Sequence, residues 1–98
     1  MQIADSERVE RLEAKVTGMV QGVGYRFFAA KAGRRLVLAG FARNLPDGSV
    51  EVVAEGPRWR LDALLSDLGR GPHAGRVDNV ESAFQPASGE FAGFDIRY

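Results

Sequence analysis

The apolar positions near the start of the chain follow two different periods. Leu12, Ala14 and Val16 alternate with polar residues, which is the pattern of a strand with one buried face. Over residues 25–38 the apolar positions recur at the spacing of a helix, while the basic residues face water. These apolar helix positions are Tyr25, Phe28, Ala29, Ala32 and Leu36. The sequence therefore predicts a strand that leads into an amphipathic helix.

A β-hairpin is predicted next. Residues 40–44 and 49–55 flank Asp47-Gly48, a dipeptide that is typical of tight hairpin turns. Val50, Val52 and Ala54 give the second of these strands a core face.

A second helix and two further strands complete the pattern. Pro57 opens the helix at a first-turn position, where its missing N–H costs nothing. Four leucines then occupy the i, i+3, i+4 and i+7 positions, namely Leu61, Leu64, Leu65 and Leu68. Strands are predicted at residues 76–84 and 94–98. The polar excursion at 85–93 between them could form an edge for self-association or cap that edge.

The order β-α-β-β-α-β plus one short strand predicts an α+β fold. Both helices must bury an apolar stripe, and one face of the sheet can cover both. The simplest solution is a ferredoxin-like (split β-α-β) sandwich, with two helices on one face of an antiparallel four- to five-stranded sheet. In that arrangement we expect the second strand beside the first and antiparallel to it. Residues 11–98 form the predicted domain, and residues 1–10 a flexible N-terminal segment.

The stretch between the first strand and the first helix is rich in glycine. Gly18, Gly22 and Gly24 let the backbone turn tightly and approach a ligand closely. A loop that opens a helix also presents free backbone N–H groups and the positive end of the helix dipole. Arg26 adds a guanidinium suited to bidentate contact with a phosphate. The stretch is a candidate anion site, and an ordinary turn with an exposed arginine fits the local sequence equally well.

Spacing excludes two well-known phosphate loops. The Walker loop needs Lys and then Ser or Thr after its second glycine, whereas Gly24 is followed by Tyr25 and Arg26. The dinucleotide fingerprint needs a third glycine at the position of Phe27. The loop therefore predicts a site for a small phosphate group rather than for a nucleotide.

Asn44 is the second candidate, since it closes a strand, where asparagine is disfavoured. Its amide can donate and accept at once and so hold a water molecule. The alternative, which the local sequence favours, is that Asn44 only hydrogen-bonds the backbone of the following turn. The strand register that decides between them is not fixed by the sequence.

Other residues are weaker candidates for a role in catalysis or metal binding. His73 lies between Pro72 and Ala74 without a nucleophile or acid near it in sequence, so we expect an exposed loop residue rather than a general base. Trp59 is interpreted as a packing residue at the edge of the core. The acidic residues are expected at outward positions, without a paired-carboxylate or metal-ligand cluster. They include Glu13, Glu51, Glu55, Asp62 and Asp67.

The composition argues against several classes of function and location. The 98 residues suffice for one domain, and 13 basic residues balance 13 acidic ones, so no net charge favours nucleic acid or an anionic membrane. The sequence has no cysteine, which fits a reducing cytosol and excludes thiolate chemistry. No apolar run reaches the length of a membrane span, and the first ten residues lack the apolar core of a signal peptide.

Three stretches resemble the acylphosphatases. GMVQGVGYR at residues 18–26 is similar to the first signature of that family, and GFARNLPDGSVE at 40–51 is similar to the second. The ending FDIRY also resembles the usual ending of the family, so the likeness runs from about residue 12 to 98. Two departures, Phe41 where the family often has Trp and Ala42 where it often has Val, fall at packing positions.

The resemblance implies an α/β sandwich that hydrolyses the carboxyl–phosphate bond of acyl phosphates without a metal or other cofactor. It implies that Arg26 is the catalytic, phosphate-binding arginine and that Asn44 orients the attacking water. It also implies a phosphate-binding loop made of Gln21, Gly22, Val23, Gly24, Tyr25 and Arg26. We therefore expect a cytoplasmic monomer that binds an acyl phosphate, or a phosphate or sulfate ion, and neither nucleic acid nor membrane.

Two other classes of function are alternatives to this one. An anion-binding module without turnover would use the same loop, and hydrolysis of benzoyl phosphate would distinguish the two. An RNA-binding module shares the order of elements but needs aromatic residues on its central strands, and residues 12–17 and 49–55 contain none.

Overall fold

The computed structural model of the protein describes residues 8–98, which contain five strands and two helices. In chain order they are β1 (Val9–Met19), α1 (Tyr25–Arg35), β2 (Ala39–Asn44), β3 (Val50–Pro57), α2 (Arg58–Arg70), β4 (Arg76–Pro86) and β5 (Phe94–Arg97). Each predicted helix and strand is present. Strand β1 begins at Val9, two residues before the predicted domain boundary, and residues 1–7 of the predicted flexible segment lie outside the described residues.

The strands form one mixed sheet in the order β4-β1-β3-β2-β5. Pairs β1–β3, β1–β4 and β2–β3 are antiparallel, whereas β5 pairs with β2 in parallel. The prediction of a purely antiparallel sheet was therefore wrong. Its last strand is only four residues long, and periodicity cannot reveal the direction in which so short a strand joins an edge.

The predicted neighbourhood of β1 and β2 was also wrong, because β3 lies between them. Helix α1 carries the chain back along the sheet, so β2 runs in the same direction as β1. The space between these two strands is then filled by the hairpin partner β3, which is antiparallel to both.

The core lies between the helices and one face of the sheet. Leu12, Ala14 and Val16 of β1 lie directly opposite buried residues of β3, in the pairs Leu12–Ala54, Ala14–Val52 and Val16–Val50. The helices cover this face with buried residues that include Ala29, Ala30, Leu61, Leu64 and Leu68. The packing positions predicted for these strands and helices are thus confirmed, with Phe28, Leu36 and Leu65 only partly buried.

The other face of the sheet is crossed by the segment that links β4 to β5, which lie at opposite edges. This crossing segment (residues 87–93) is held by Glu55, whose carboxylate accepts the N–H groups of Ser88 and Gly89, each at 2.9 Å. The ring of Phe91 packs edge-on against Phe41 at 5.8 Å between centroids. Glu55 is buried as a result, which corrects its predicted outward position.

Two further predictions were wrong, one of an exposed residue and one of a packed residue. Asp67 is buried, and its carboxylate pairs with Arg35 at the end of α1 and with Arg70 at the end of α2. Trp59 is 52% exposed rather than packed at the core edge, with the guanidinium of Arg60 over its ring. Periodicity places a side chain on a face of an element, but it does not show which neighbours cover that face.

Candidate active site

The glycine-rich loop runs from the end of β1 into the first turn of α1. Gly22 and Gly24 have φ angles of 76° and 79°, in the left-handed region that favours glycine. A Cβ at either position would have no atom within 4 Å, so glycine is needed here for its backbone conformation and not for space.

The N–H groups at the start of α1 are unused by the helix. The first helical hydrogen bond runs from the N–H of Phe28 to the carbonyl of Gly24 at 3.0 Å. No side chain caps this end, and its first turn contains no acidic residue. Unpaired N–H groups and the positive end of the helix dipole favour an anion at this place.

A pocket of about 140 Å³ opens in front of this helix end. Its lining joins the loop and the end of β2, and consists of Val20, Gly22, Gly24, Tyr25, Arg26, Phe27 and Asn44. The two predicted catalytic residues thus share one pocket with part of the predicted phosphate loop. Gln21 and Val23 belong to the same loop but are not part of this lining.

Arg26 is held in place by the end of the chain. Its guanidinium donates to the carbonyl oxygen of Arg97 at 2.9 Å and lies over the ring of Tyr98, with 4.7 Å from Cζ to the ring centroid. Tyr98 is 92% exposed, so it packs on the arginine rather than in the core. Sequence reasoning did not assign a role in the site to these two residues, because nothing in their local pattern points to position 26.

Asn44 is the last residue of β2 and lies opposite Val50, which is fully buried on the helix side of the sheet. Residues paired across a strand ladder share a face, so Asn44 also points to the helix side. The alternative role as a turn residue goes to Asp47, whose carboxylate accepts the N–H of Ser49 at 3.0 Å and its hydroxyl at 2.5 Å. Within residues 8–98 the Asn44 side chain makes no hydrogen bond.

Gln21 does not line the pocket, and its side chain reaches the hairpin turn. Its side-chain Nε2 donates to the carbonyl oxygens of Leu45 and Ser49, at 2.8 and 2.9 Å. The loop that precedes α1 is therefore tied directly to the turn that follows Asn44.

Two groups near the site have shifted pKa values. Burial raises the pKa of the Tyr25 hydroxyl, which donates to the carbonyl of Leu68 at 2.7 Å and so ties the first turn of α1 to α2. The hydrogen bond from Lys15, assisted by Ser49, holds the pKa of Asp47 below its usual range. Neither group is placed to exchange a proton with a ligand in the pocket. The Tyr25 hydroxyl is hydrogen-bonded in the interior, and Asp47 lies in the hairpin turn.

The remaining candidates stay outside the pocket. His73 is exposed in the connection between α2 and β4, as predicted, and does not line it. Among residues 8–98, no group of three His, Cys, Asp or Glu side chains is placed to hold a metal ion. In the same part of the chain, neither helix has the length and hydrophobicity of a membrane span.

A larger hollow of about 400 Å³ lies at the other face of the sheet, around β1 and β4. Its lining includes the carboxylates of Glu13, Glu51 and Glu81 and one cation, Lys15. Excess negative charge repels a phosphate dianion, so the smaller pocket beside Arg26 is the better site for such a ligand.

Comparisons with known proteins show the family to which the chain is similar. The sequence profile of the family named Acylphosphatase matches residues 12–96. An acylphosphatase of Thermus thermophilus is 51% identical over 86 residues, which are 88% of this chain and 97% of the relative. An acylphosphatase of Nocardia farcinica is 47% identical over 87 residues, which are 89% of this chain and 87% of the relative.

Solved structures give the same likeness. The crystal structure of acylphosphatase from Bacillus subtilis superposes with a TM-score of 0.88 at 30% identity, and covers 91% of this chain and 99% of its own. HypF of T. kodakarensis has a TM-score of 0.78 at 30% identity, and the match covers 91% of this chain but 12% of HypF. The fold therefore also occurs as a small part of a much longer protein.

Proposed function

The chain belongs to the acylphosphatase family and hydrolyses acyl phosphates, and from this premise we propose that the pocket between the loop and Asn44 is the catalytic site. The observation that carries the proposal is that one pocket joins Gly22, Gly24 and Arg26 with Asn44. Free N–H groups and a guanidinium on one side can hold a phosphoryl group, and a side-chain amide on the other can hold water.

The chemistry fits these groups. The oxygen of water attacks phosphorus, the bond from phosphorus to the acyl oxygen breaks, and the electron pair leaves on a carboxylate. A carboxylate is a good leaving group, so a strong general acid is unnecessary. Catalysis then consists of positioning and of stabilising the equatorial phosphoryl oxygens. We propose that the proton of the attacking water passes to a phosphoryl oxygen of the substrate.

Arg26 is proposed to bind the phosphoryl oxygens through its fork of N–H donors. For Arg26→Ala we expect kcat/KM with benzoyl phosphate to fall about 10²–10³-fold, as for loss of one preorganised donor to a developing charge. Arg26→Lys is expected to recover little, because an ammonium cannot donate in the same bidentate geometry. Lys31→Ala, which removes an exposed cation from the same helix, serves as the control.

Calorimetry with inorganic phosphate tests the same assignment without turnover. Phosphate should bind to the wild type and to Lys31→Ala, and much more weakly to Arg26→Ala. Equal phosphate affinity in all three proteins would contradict the assignment of Arg26.

Asn44 is proposed to orient the attacking water. Asn44→Ala is expected to lower kcat by about 10²-fold, the cost typical of a misplaced reactant, with the phosphate affinity almost unchanged. Absorbance of benzoyl phosphate gives kcat, and competitive inhibition gives the phosphate affinity. A parallel loss of both would instead make Asn44 a binding residue.

Finer features of the protein belong to the same proposal. We propose the ferredoxin-like class for the fold, supported by the order β4-β1-β3-β2 with β5 added at one edge. We also propose a cytoplasmic monomer that binds phosphate or sulfate in the loop and works without metal. Full activity after extensive dialysis against a chelator, and a monomeric mass by light scattering, would support these points.

A further inference from the structure

The side chain of Gln21 uses both hydrogens of its Nε2 on one turn. It donates to Leu45, which follows Asn44, and to Ser49, which precedes Val50. These two carbonyls lie on the two sides of the hairpin turn. Gln21 therefore ties the loop to the ends of both strands, β2 and β3.

The turn that receives these bonds is held by hydrogen bonds of its own. The N–H of Leu45 donates to the carbonyl of Ser49 at 2.9 Å, and the N–H of Gly48 donates to the carbonyl of Leu45 at 3.1 Å. Asp47 caps Ser49 and pairs with Lys15 at 2.7 Å. A movement of the loop relative to this turn is therefore a movement relative to Asn44 as well.

No strand ladder fixes the loop against Asn44. The loop extends from β1 and Asn44 ends β2, and these strands lie two ladder spacings apart, about 10 Å, because β3 separates them. The pairing of β1 with β3 also stops at Val16–Val50, four residues before the loop. Within residues 8–98, the hydrogen bonds that join the loop to the turn are those of Gln21.

We infer that Gln21 is a positioning residue for the water held by Asn44, and not a ligand of the phosphate. Its amide sets the separation between the N–H groups of the loop and the Asn44 side chain. This inference rests on the proposed roles of the loop and Asn44. It gives the Gln21 side chain a task of its own, beyond the membership of the phosphate-binding loop that the family resemblance implied.

The test is Gln21→Leu, which keeps a side chain of similar size and removes both donors, with Gln21→Met as a second variant if the first folds poorly. A misplacement of about 1 Å costs up to 10²-fold in rate, so we expect kcat to fall ten- to a hundredfold. The inhibition constant of inorganic phosphate should change less than threefold. Thermal unfolding shows that the variants are folded at the assay temperature.

A double-mutant cycle separates positioning from a general loss of stability. In the Asn44→Ala background, Gln21→Leu is expected to change kcat less than twofold, because the group it positions is already absent. Effects of the two substitutions that multiply would overturn the inference. A loss of phosphate affinity that matches the loss of kcat would overturn it as well, and would make Gln21 a phosphate ligand.

Different results would contradict the role of Asn44 and the role of Gln21. If Asn44→Ala alone leaves kcat unchanged, the proposed role of Asn44 is wrong. If Asn44→Ala lowers kcat and Gln21→Leu does not, the role of Asn44 stands and the inference about Gln21 is wrong.

Discussion

At the scale of single residues, the geometry of Arg26 depends on groups at the far end of the chain. The carbonyl of Arg97 fixes one side of the guanidinium, and the ring of Tyr98 lies beneath it. A cation at an exposed aromatic face gains about 0.5–1 kcal/mol. The ring therefore restricts the positions that the guanidinium can take before substrate arrives.

This contact predicts a modest catalytic effect. For Tyr98→Ala we expect kcat/KM with benzoyl phosphate to fall about two- to fivefold, which is the rate equivalent of that contact energy. Tyr98→Phe keeps the ring and is the matched control, with activity close to wild type. Equal losses in both variants would show that the hydroxyl matters and the ring does not.

Glu55 is the residue that holds the crossing segment to the sheet. Burial by itself raises the pKa of its carboxyl, but the hydrogen bonds from the segment and from Arg11 outweigh burial and lower this pKa to about 2. The carboxylate is therefore ionised whenever the protein is folded near neutral pH.

Removing this charge should loosen the crossing segment. We expect Glu55→Gln to lower the free energy of unfolding by about 2 kcal/mol, since hydrogen bonds to a charged group are lost. Glu81→Gln, at an exposed position of β4, should change it by less than about 0.5 kcal/mol. Urea unfolding measures both, and equal effects would show that the Glu55 contacts add no stability.

At the scale of elements, the end of α1 carries an unusual residue. The N–H of Leu38 donates to the carbonyl of Gly33 and the N–H of Val37 to that of Arg34, which is the Schellman pattern. Val37 occupies the left-handed position of this motif with φ 55°, where glycine is normal. Its side chain is 73% exposed, so little packing compensates the strain.

Replacement by glycine should therefore stabilise the protein. The left-handed conformation costs a residue with a Cβ about 1–2 kcal/mol, and the greater freedom of glycine in the unfolded chain offsets part of this gain. For Val37→Gly we expect a net gain of about 0.5–1 kcal/mol in urea unfolding, with Val37→Ala gaining less. A loss of stability in Val37→Gly would contradict the strain.

At the scale of the whole molecule, charged groups define the pH range of stability. Several carboxylates have pKa values held below the unfolded values of 3.8 and 4.5, so their stabilisation is complete above those values and is lost as the pH falls toward 2. They are Asp47, Glu55, Asp78 and Glu90. Tyr25 behaves in the opposite sense, because burial raises its pKa above 10.0 and its stabilisation is lost above that pH.

We therefore expect the unfolding temperature to be nearly constant between about pH 5 and 9 and to fall on both sides. Scanning calorimetry across this range checks the shape. Tyr25→Phe should remove most of the alkaline fall at the cost of one buried hydrogen bond, and Glu55→Gln should reduce the acid fall. An unchanged alkaline limb in Tyr25→Phe would place its cause in another group, such as Lys15, whose pKa is raised by Asp47.

The sequence predicted most elements because their signals are local. Alternation at Leu12, Ala14 and Val16 required a strand with one buried face, and the leucines of α2 required a helix with one buried stripe. The loop requires positive φ angles at Gly22 and Gly24, a conformation that favours glycine. The spacing of the glycines could therefore indicate the candidate site. The same local reasoning predicted wrongly that Glu55 and Asp67 are exposed. It shows on which face of a strand or helix a residue lies, but not whether another segment buries that face.

By itself, then, the sequence determined the elements, their buried faces, the family and the loop that precedes α1. Only the tertiary structure decided that β3 separates β1 from β2, that β5 joins in parallel, and that Asn44 faces the loop. It also decided that the Gln21 amide bridges loop and turn. The physical reason is that periodicity and backbone preference act over a few residues, whereas strand order and side-chain contacts depend on groups that only folding brings together.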